Sequence, residues 1–115
     1  MKLDEYQKRS ITTDLFERPN ETEVFSFGFL EKVLGITGEA GELADKIKKI
    51  LRDQKGVMSP ENKQEVIKEL GDILWYISTI AYYLNVSLDQ VAKTNLDKLS
   101  NRAQRGALTG RGDNR

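Results

Sequence analysis

Two five-residue stretches repeat one pattern: Glu39-Ala40-Gly41-Glu42-Leu43 and Glu69-Leu70-Gly71-Asp72-Ile73 each read acid, small or apolar, glycine, acid, aliphatic. At about 100° per residue, acids three apart on a helix lie roughly 60° from one another and can address one point in space. On the same wheel Glu39 falls roughly 40° from Leu43, and Glu69 roughly 40° from Ile73, so each pair borders an apolar stripe. Packing the two stripes together would put four carboxylates on one rim. Their repulsion would raise pKa values or open the site unless a cation neutralised it. Oxygen-only ligands suit Mg²⁺ or Mn²⁺, and Mg²⁺ commonly completes its octahedron with waters and substrate phosphates. Such a metal neutralises phosphoryl oxygens and acidifies a bound water, while a carboxylate outside its shell takes up the proton. The competing reading is ordinary solvated acids on amphipathic helices; two pairs at matching stripe edges, each around a glycine, favour the metal.

The rest of the composition narrows the chemistry. There is no cysteine for a disulfide or thiolate site and no histidine for an imidazole ligand, general base or triad. The Glu-x-x-His element of di-iron bundles is therefore impossible. Eighteen basic and eighteen acidic side chains cancel, so no global field attracts a polyanion and stable nucleic-acid binding is not expected. The start, Met1-Lys2-Leu3-Asp4-Glu5-Tyr6, lacks the apolar stretch of a signal peptide, and the most apolar window, 73–84, is too short to span a bilayer. A cytoplasmic protein without a membrane segment is expected.

Positioning the acids falls to helices. At 115 residues, 38% apolar, the chain suits one domain, placed at residues 1–105 with a tail at 106–115. Apolar residues recur at spacings of three and four, which predicts an all-α bundle of about four helices. A first helix is expected over about 3–16. A second runs from near Glu23 to Arg52, burying Phe25, Phe29, Val33, Ile36, Ala40, Leu43, Ile47 and Ile50. Its glycines, each costing about 1 kcal/mol relative to alanine, predict close contacts or a break near Gly35; Gly56 suits a left-handed cap. Ser59 and Pro60 mark the start of a third helix, which buries Val66, Ile67, Leu70, Ile73, Leu74, Ile77, Ile80, Ala81 and Leu84 and ends at Asn85. Ser87 with Gln90 opens a fourth, turning Leu88, Val91, Ala92, Leu96 and Leu99 inward.

The acidic blocks, with Gly38 before the first and Leu74-Trp75-Tyr76 after the second, resemble the ExxE and ExxD motifs of MazG-like nucleotide pyrophosphohydrolases. Asn95-Leu96-Asp97-Lys98-Leu99-Ser100-Asn101-Arg102 is similar to that family's Asn-x-x-Lys-x-x-x-Arg block, and the likeness spans about Gly35 to Arg102. The resemblance implies an all-α, oligomeric enzyme that cleaves (d)NTPs between the α- and β-phosphates with Mg²⁺, in nucleotide-pool house-cleaning. It assigns metal-ligand or water-activating roles to Glu39, Glu42, Glu69 and Asp72, and substrate binding to Asn95, Lys98 and Arg102. Spacings of three and four put Lys98 and Arg102 on one helical side, where both can grip phosphate oxygens. Many members have two adjacent acids at the start of the first motif, where this chain has Gly38 and Glu39; the general base stays unassigned. Phosphoribosyl-ATP pyrophosphohydrolase and a non-catalytic nucleotide-sensing or dimerisation module are the alternatives.

Tyr76, four residues after Asp72, is placed either against the nucleoside or in the core. Trp75 projects away from the main stripe, so a single bundle layer would leave it and Tyr82 exposed; a homodimer or larger homo-oligomer is expected to cover them. Lys46 and Lys49 read as solvent-facing partners of Glu42 and Asp45. The glycine-rich tail from Gly106 to Arg115 should be mobile or ordered only by a partner. Its Arg111-Gly112-Asp113 tripeptide is read as chance rather than as an adhesion signal.

Overall fold

Three serines set the helix starts. The Ser26, Ser59 and Ser87 hydroxyls accept hydrogen bonds from the backbone N–H groups of Phe29 (3.2 Å), Asn62 (3.1 Å) and Gln90 (3.0 Å). Each satisfies a donor that the first helical turn leaves unpaired. In the computed structural model, which describes residues 1–20 and 22–110, these caps open α2 (Phe27–Asp53), α3 (Pro60–Tyr83) and α4 (Leu88–Gln104). Ahead of them α1 (Leu3–Ser10) runs into a 3₁₀ turn at Ile11–Thr13. The fold is all-α with four helices, and no strand occurs among the described residues. Left-handed Gly56 (φ 75°) follows the end of α2, as its sequence context predicts, and Asn85 (φ 57°) follows α3.

The first two helix boundaries differ from expectation. The first helix stops at Ser10, because the Thr12 and Thr13 hydroxyls bond the carbonyls of Arg9 and Ser10 (2.7 Å each) and Asp14 turns extended (ψ 131°). The second begins at Phe27 rather than near Glu23, which leaves Phe25 outside it and 83% exposed instead of buried. No break occurs at Gly35; α2 is one helix throughout.

Helices α2 and α3 form an antiparallel hairpin, in which Lys46 meets Glu65 and Glu69 near the turn and Gly35 meets Tyr76 farther along. α1 is pinned across α3 and the start of α4 by one buried amide. Gln7 donates to the carbonyls of Ser78 (3.3 Å) and Val86 (3.0 Å) and accepts from Leu88 N–H (3.2 Å). Trp75, expected to need a partner subunit, is half-buried against the chain's own amino-terminal segment. Its indole N–H donates to Ser10 O (3.1 Å) and Thr13 Oγ1 (2.8 Å). Tyr82 is likewise half-buried, under the Arg18 guanidinium at 5.0 Å.

The expected apolar stripes are only partly core. Phe29, Ile50, Ala81 and Leu88 are buried, but Val33, Ala40, Ile67, Leu70, Leu74, Leu84, Val91, Leu96 and Leu99 are exposed. The cause is geometric: a two-helix hairpin has two flanks, and α1 covers one. The radius of gyration, 17.0 Å, exceeds the about 13 Å of a compact chain this long.

Candidate metal and nucleotide site

The antiparallel hairpin sets Glu39 of α2 opposite Glu69 and Asp72 of α3, and one carboxylate oxygen from each lies within 4.8 Å of the other two. Glu69 is buried, Glu39 half-buried and Asp72 exposed, so the cluster opens outward from the helix interface. At the neighbouring Gly38, Gly41 and Gly71 a Cβ would meet nothing within 4 Å beyond the adjacent residues and the helix's own backbone. Glu42 is exposed and outside the three-acid cluster, yet close enough for its charge to be felt. Burial first, then the charges of Asp72, Glu69 and Glu42, raise the Glu39 pKa.

Lys46 is not the solvent-facing partner of Glu42 that its spacing suggests. Its ammonium bridges Glu65 and Glu69 across the hairpin at 3.1 Å each, because antiparallel packing brings α3 closer than the next turn of α2. Those bonds raise its pKa. Lys49 pairs with Asp45 at 2.6 Å, as expected. The cluster thus draws one cation from the protein itself, and its remaining donors are carboxylate oxygens alone. That donor set fits a hard divalent ion.

Two tyrosines border the acids. Tyr6 of α1 has its pKa raised by burial and then by the charge of Asp72. Tyr76 lies over Gly35, where an added Cβ would be 2.1 Å from its Cε1 atom, so its ring packs between the helices. Burial, then the charges of Glu31 and Glu39, raise the Tyr76 pKa. Asn95 and Lys98 are exposed and Arg102 is buried, all on α4. That helix packs on α1 and α3 and, among the described residues, not on α2. Within one chain the structure therefore assembles Glu39, Glu69 and Asp72 with Tyr76 beside them, while Glu42 stays at the margin and the third block is carried separately. The Arg111-Gly112-Asp113 tripeptide lies outside the described residues.

Sequence reading missed Lys32. It is 1% exposed and ion-paired to Asp14 (2.8 Å) and to Glu31. The rings of Phe16 (4.8 Å), Trp75 (5.4 Å) and Tyr83 (5.8 Å) surround its ammonium. Asp14 also accepts from Tyr83 Oη–H (2.6 Å) and Phe16 N–H (3.0 Å). Burial alone would lower the Lys32 pKa, but its bonds to Asp14 and Glu31 outweigh burial and raise it. Burial would likewise raise Asp14, and its bonds to Lys32, Tyr83 and Phe16 hold it low instead. The available signal was a lysine inside the apolar run Phe29-Leu30-Glu31-Lys32-Val33-Leu34, three residues after Phe29 and four before Ile36.

Comparison with known proteins agrees with this architecture. The family model for the MazG nucleotide pyrophosphohydrolase domain matches residues 27–106. The chain belongs to that family. It is 41% identical over 115 residues to the Gene 37 protein of Mycobacterium phage L5, covering all of both chains. It is also 35% identical over 94 residues to the protein YvdC of Bacillus subtilis (strain 168), covering 77% of this chain and 86% of the relative. No solved structure matches it significantly. A nucleotide is the substrate class this membership implies, and no helix among the described residues is long and apolar enough to cross a membrane.

Proposed function

We propose that the protein hydrolyses a nucleoside triphosphate, (d)NTP, to the monophosphate and pyrophosphate with Mg²⁺, in cytoplasmic control of the nucleotide pool. The observation that carries this reading is the convergence of Glu39, Glu69 and Asp72 within 4.8 Å, two helices contributing to one outward-facing oxygen cluster. These three residues would hold the ion, with Mn²⁺ able to replace it. Bound there, the ion supplies charge neutralisation to the phosphates and Lewis acidity to an attacking water. Water adds to the α-phosphorus, the bond from that phosphorus to the α,β-bridging oxygen breaks, and pyrophosphate leaves. A carboxylate of the set, including the marginal Glu42, accepts the water's proton. Asn95, Lys98 and Arg102 bind substrate phosphates from a helix that does not pack on α2 of the same chain, and their roles fit a site completed between subunits.

The exposed apolar flank supports the assembly. The accessible surface of 8543 Å² exceeds the roughly 6,400 Å² expected for a monomer of this mass. The excess is more than twice the roughly 800 Å² that each partner buries in a standard interface and is in the range of obligate assemblies. A homodimer or larger oligomer would cover exposed Leu34, Ile67, Leu70 and Leu74, whereas Trp75 is already half-buried within its own chain. The test is release of pyrophosphate and monophosphate from the canonical NTPs, dNTPs and dUTP with Mg²⁺, Mn²⁺ or EDTA. Wild type should show metal-dependent release; Glu69→Gln and Asp72→Asn should fold and lose it. Undiminished turnover in both variants would remove those carboxylates from the mechanism.

A further inference from the structure

Glu31, Gly35 and Glu39 follow one another at one-turn steps along α2, spanning about 12 Å at 1.5 Å per residue. The Tyr76 ring fills the gap that the missing Gly35 Cβ leaves, so one aromatic reaches from the acidic cluster toward Glu31. Beside it opens a cavity of about 210 Å³ walled by Phe16, Trp75 and Tyr76 and edged by Thr13, Glu31 and Lys32. The Trp75 and Tyr76 rings meet edge to face at 5.0 Å, giving the cavity two differently directed aromatic walls. Tyr76 lines this cavity and Glu31 lies at its edge, two turns along α2 from Glu39 of the acidic cluster.

The polar groups at this cavity are unequally engaged. Asp14 is saturated by Lys32, Tyr83 and the Phe16 N–H, and the Lys32 ammonium is held by Asp14 and Glu31. Glu31 uses Oε2 for Lys32; its Oε1 has no protein donor among the described residues, and its side chain is 43% exposed. We propose that this cavity holds the nucleobase and that Glu31 selects bases offering an exocyclic amino group, cytosine over uracil and adenine over hypoxanthine. This assignment rests on the pyrophosphohydrolase reading above. An ionised carboxylate only accepts hydrogen bonds. It takes one from the N4 amino group of cytosine or the N6 amino group of adenine and repels the carbonyl oxygen that stands there in uracil or hypoxanthine. Lys32 is the positioning residue: buried and fixed by Asp14, it holds the Glu31 carboxylate at the cavity edge.

Within each pair the bases differ at that group and at the adjacent ring nitrogen, an acceptor in cytosine and adenine and an N–H in uracil and hypoxanthine, which makes them the probes. The kcat/KM values for CTP against UTP and ATP against ITP should each favour the amino base by about 10- to 100-fold. Glu31→Gln should level or reverse both ratios, since an amide can donate to the carbonyl, and Glu31→Ala should level them. Calorimetric binding of CMP against UMP reads the same preference without turnover. Preserved ratios in folded Glu31→Gln, with turnover intact, overturn the assignment of Glu31 and leave the reaction standing. No pyrophosphate from any triphosphate, with CMP still preferred over UMP and the preference lost in Glu31→Gln, overturns the reaction and upholds base recognition. Equal CMP and UMP binding by wild type overturns the base assignment.

Discussion

Replacing Gly35 by alanine tests how Tyr76 is held between the acidic cluster and the cavity. The new Cβ would stand 2.1 Å from Tyr76 Cε1, whereas ordinary contact begins at 3.4 Å, so the ring must retreat by 3.4 − 2.1 = 1.3 Å. Alanine gains about 1 kcal/mol over glycine inside a helix, and overpacking of this kind costs about 1–3 kcal/mol. The net loss of stability is therefore modest, about 0–2 kcal/mol. Activity should fall further, because displacing a group beside the reacting centre by about 1 Å can cost about 100-fold. Urea unfolding and pyrophosphate release would be measured for Gly35→Ala, Tyr76→Ala and the double variant. The three atoms nearest the new Cβ all belong to that ring, so Gly35→Ala should change sign in the Tyr76→Ala background and stabilise by about 1 kcal/mol. The same effect in both backgrounds would refute the reasoning that Tyr76 is why position 35 carries glycine.

Lys32→Met should destabilise the protein by about 3–5 kcal/mol, because it leaves buried Asp14 without its cation; chemical denaturation reads it, and adding Asp14→Asn should recover part of the loss. The pH dependence follows from the same pair. Asp14 is lowered from its ordinary 3.8, so its contribution is present above that value and is lost as pH falls through the lower folded value. Lys32 is raised from 10.5, so its contribution is present below that value and is lost as pH rises through the higher folded value. Unfolding curves of wild type and Asp14→Asn should therefore differ most near neutrality and converge below about pH 4; a constant difference down to pH 2 would contradict the ion pair.

Periodicity, the Ser59 and Ser87 caps and the left-handed Gly56 were enough to place α2, α3 and α4 to within a few residues, since these signals act within one or two helical turns; the Ser26 cap that starts α2 was not read from the sequence. The repeated acid pairs were legible for the same reason: spacing on a wheel says which residues share a side of one helix. Wheel geometry cannot say how two helices meet. Only the hairpin register decided that Glu39 joins Glu69 and Asp72 while Glu42 stays outside, and that Lys46 reaches across to Glu69 instead of along its own helix. The stretch from Ser10 to Phe16 was expected to be the last part of the first helix and instead leaves it. Its contribution, Asp14 and Phe16 closing over Lys32, and Ser10 with Thr13 capturing the Trp75 indole, arises from contacts more than sixty residues apart for Trp75 and roughly eighteen for Lys32. The apolar stripes show the division most plainly: sequence determined which residues form them, and packing decided which flank one chain covers and which remains for a neighbour.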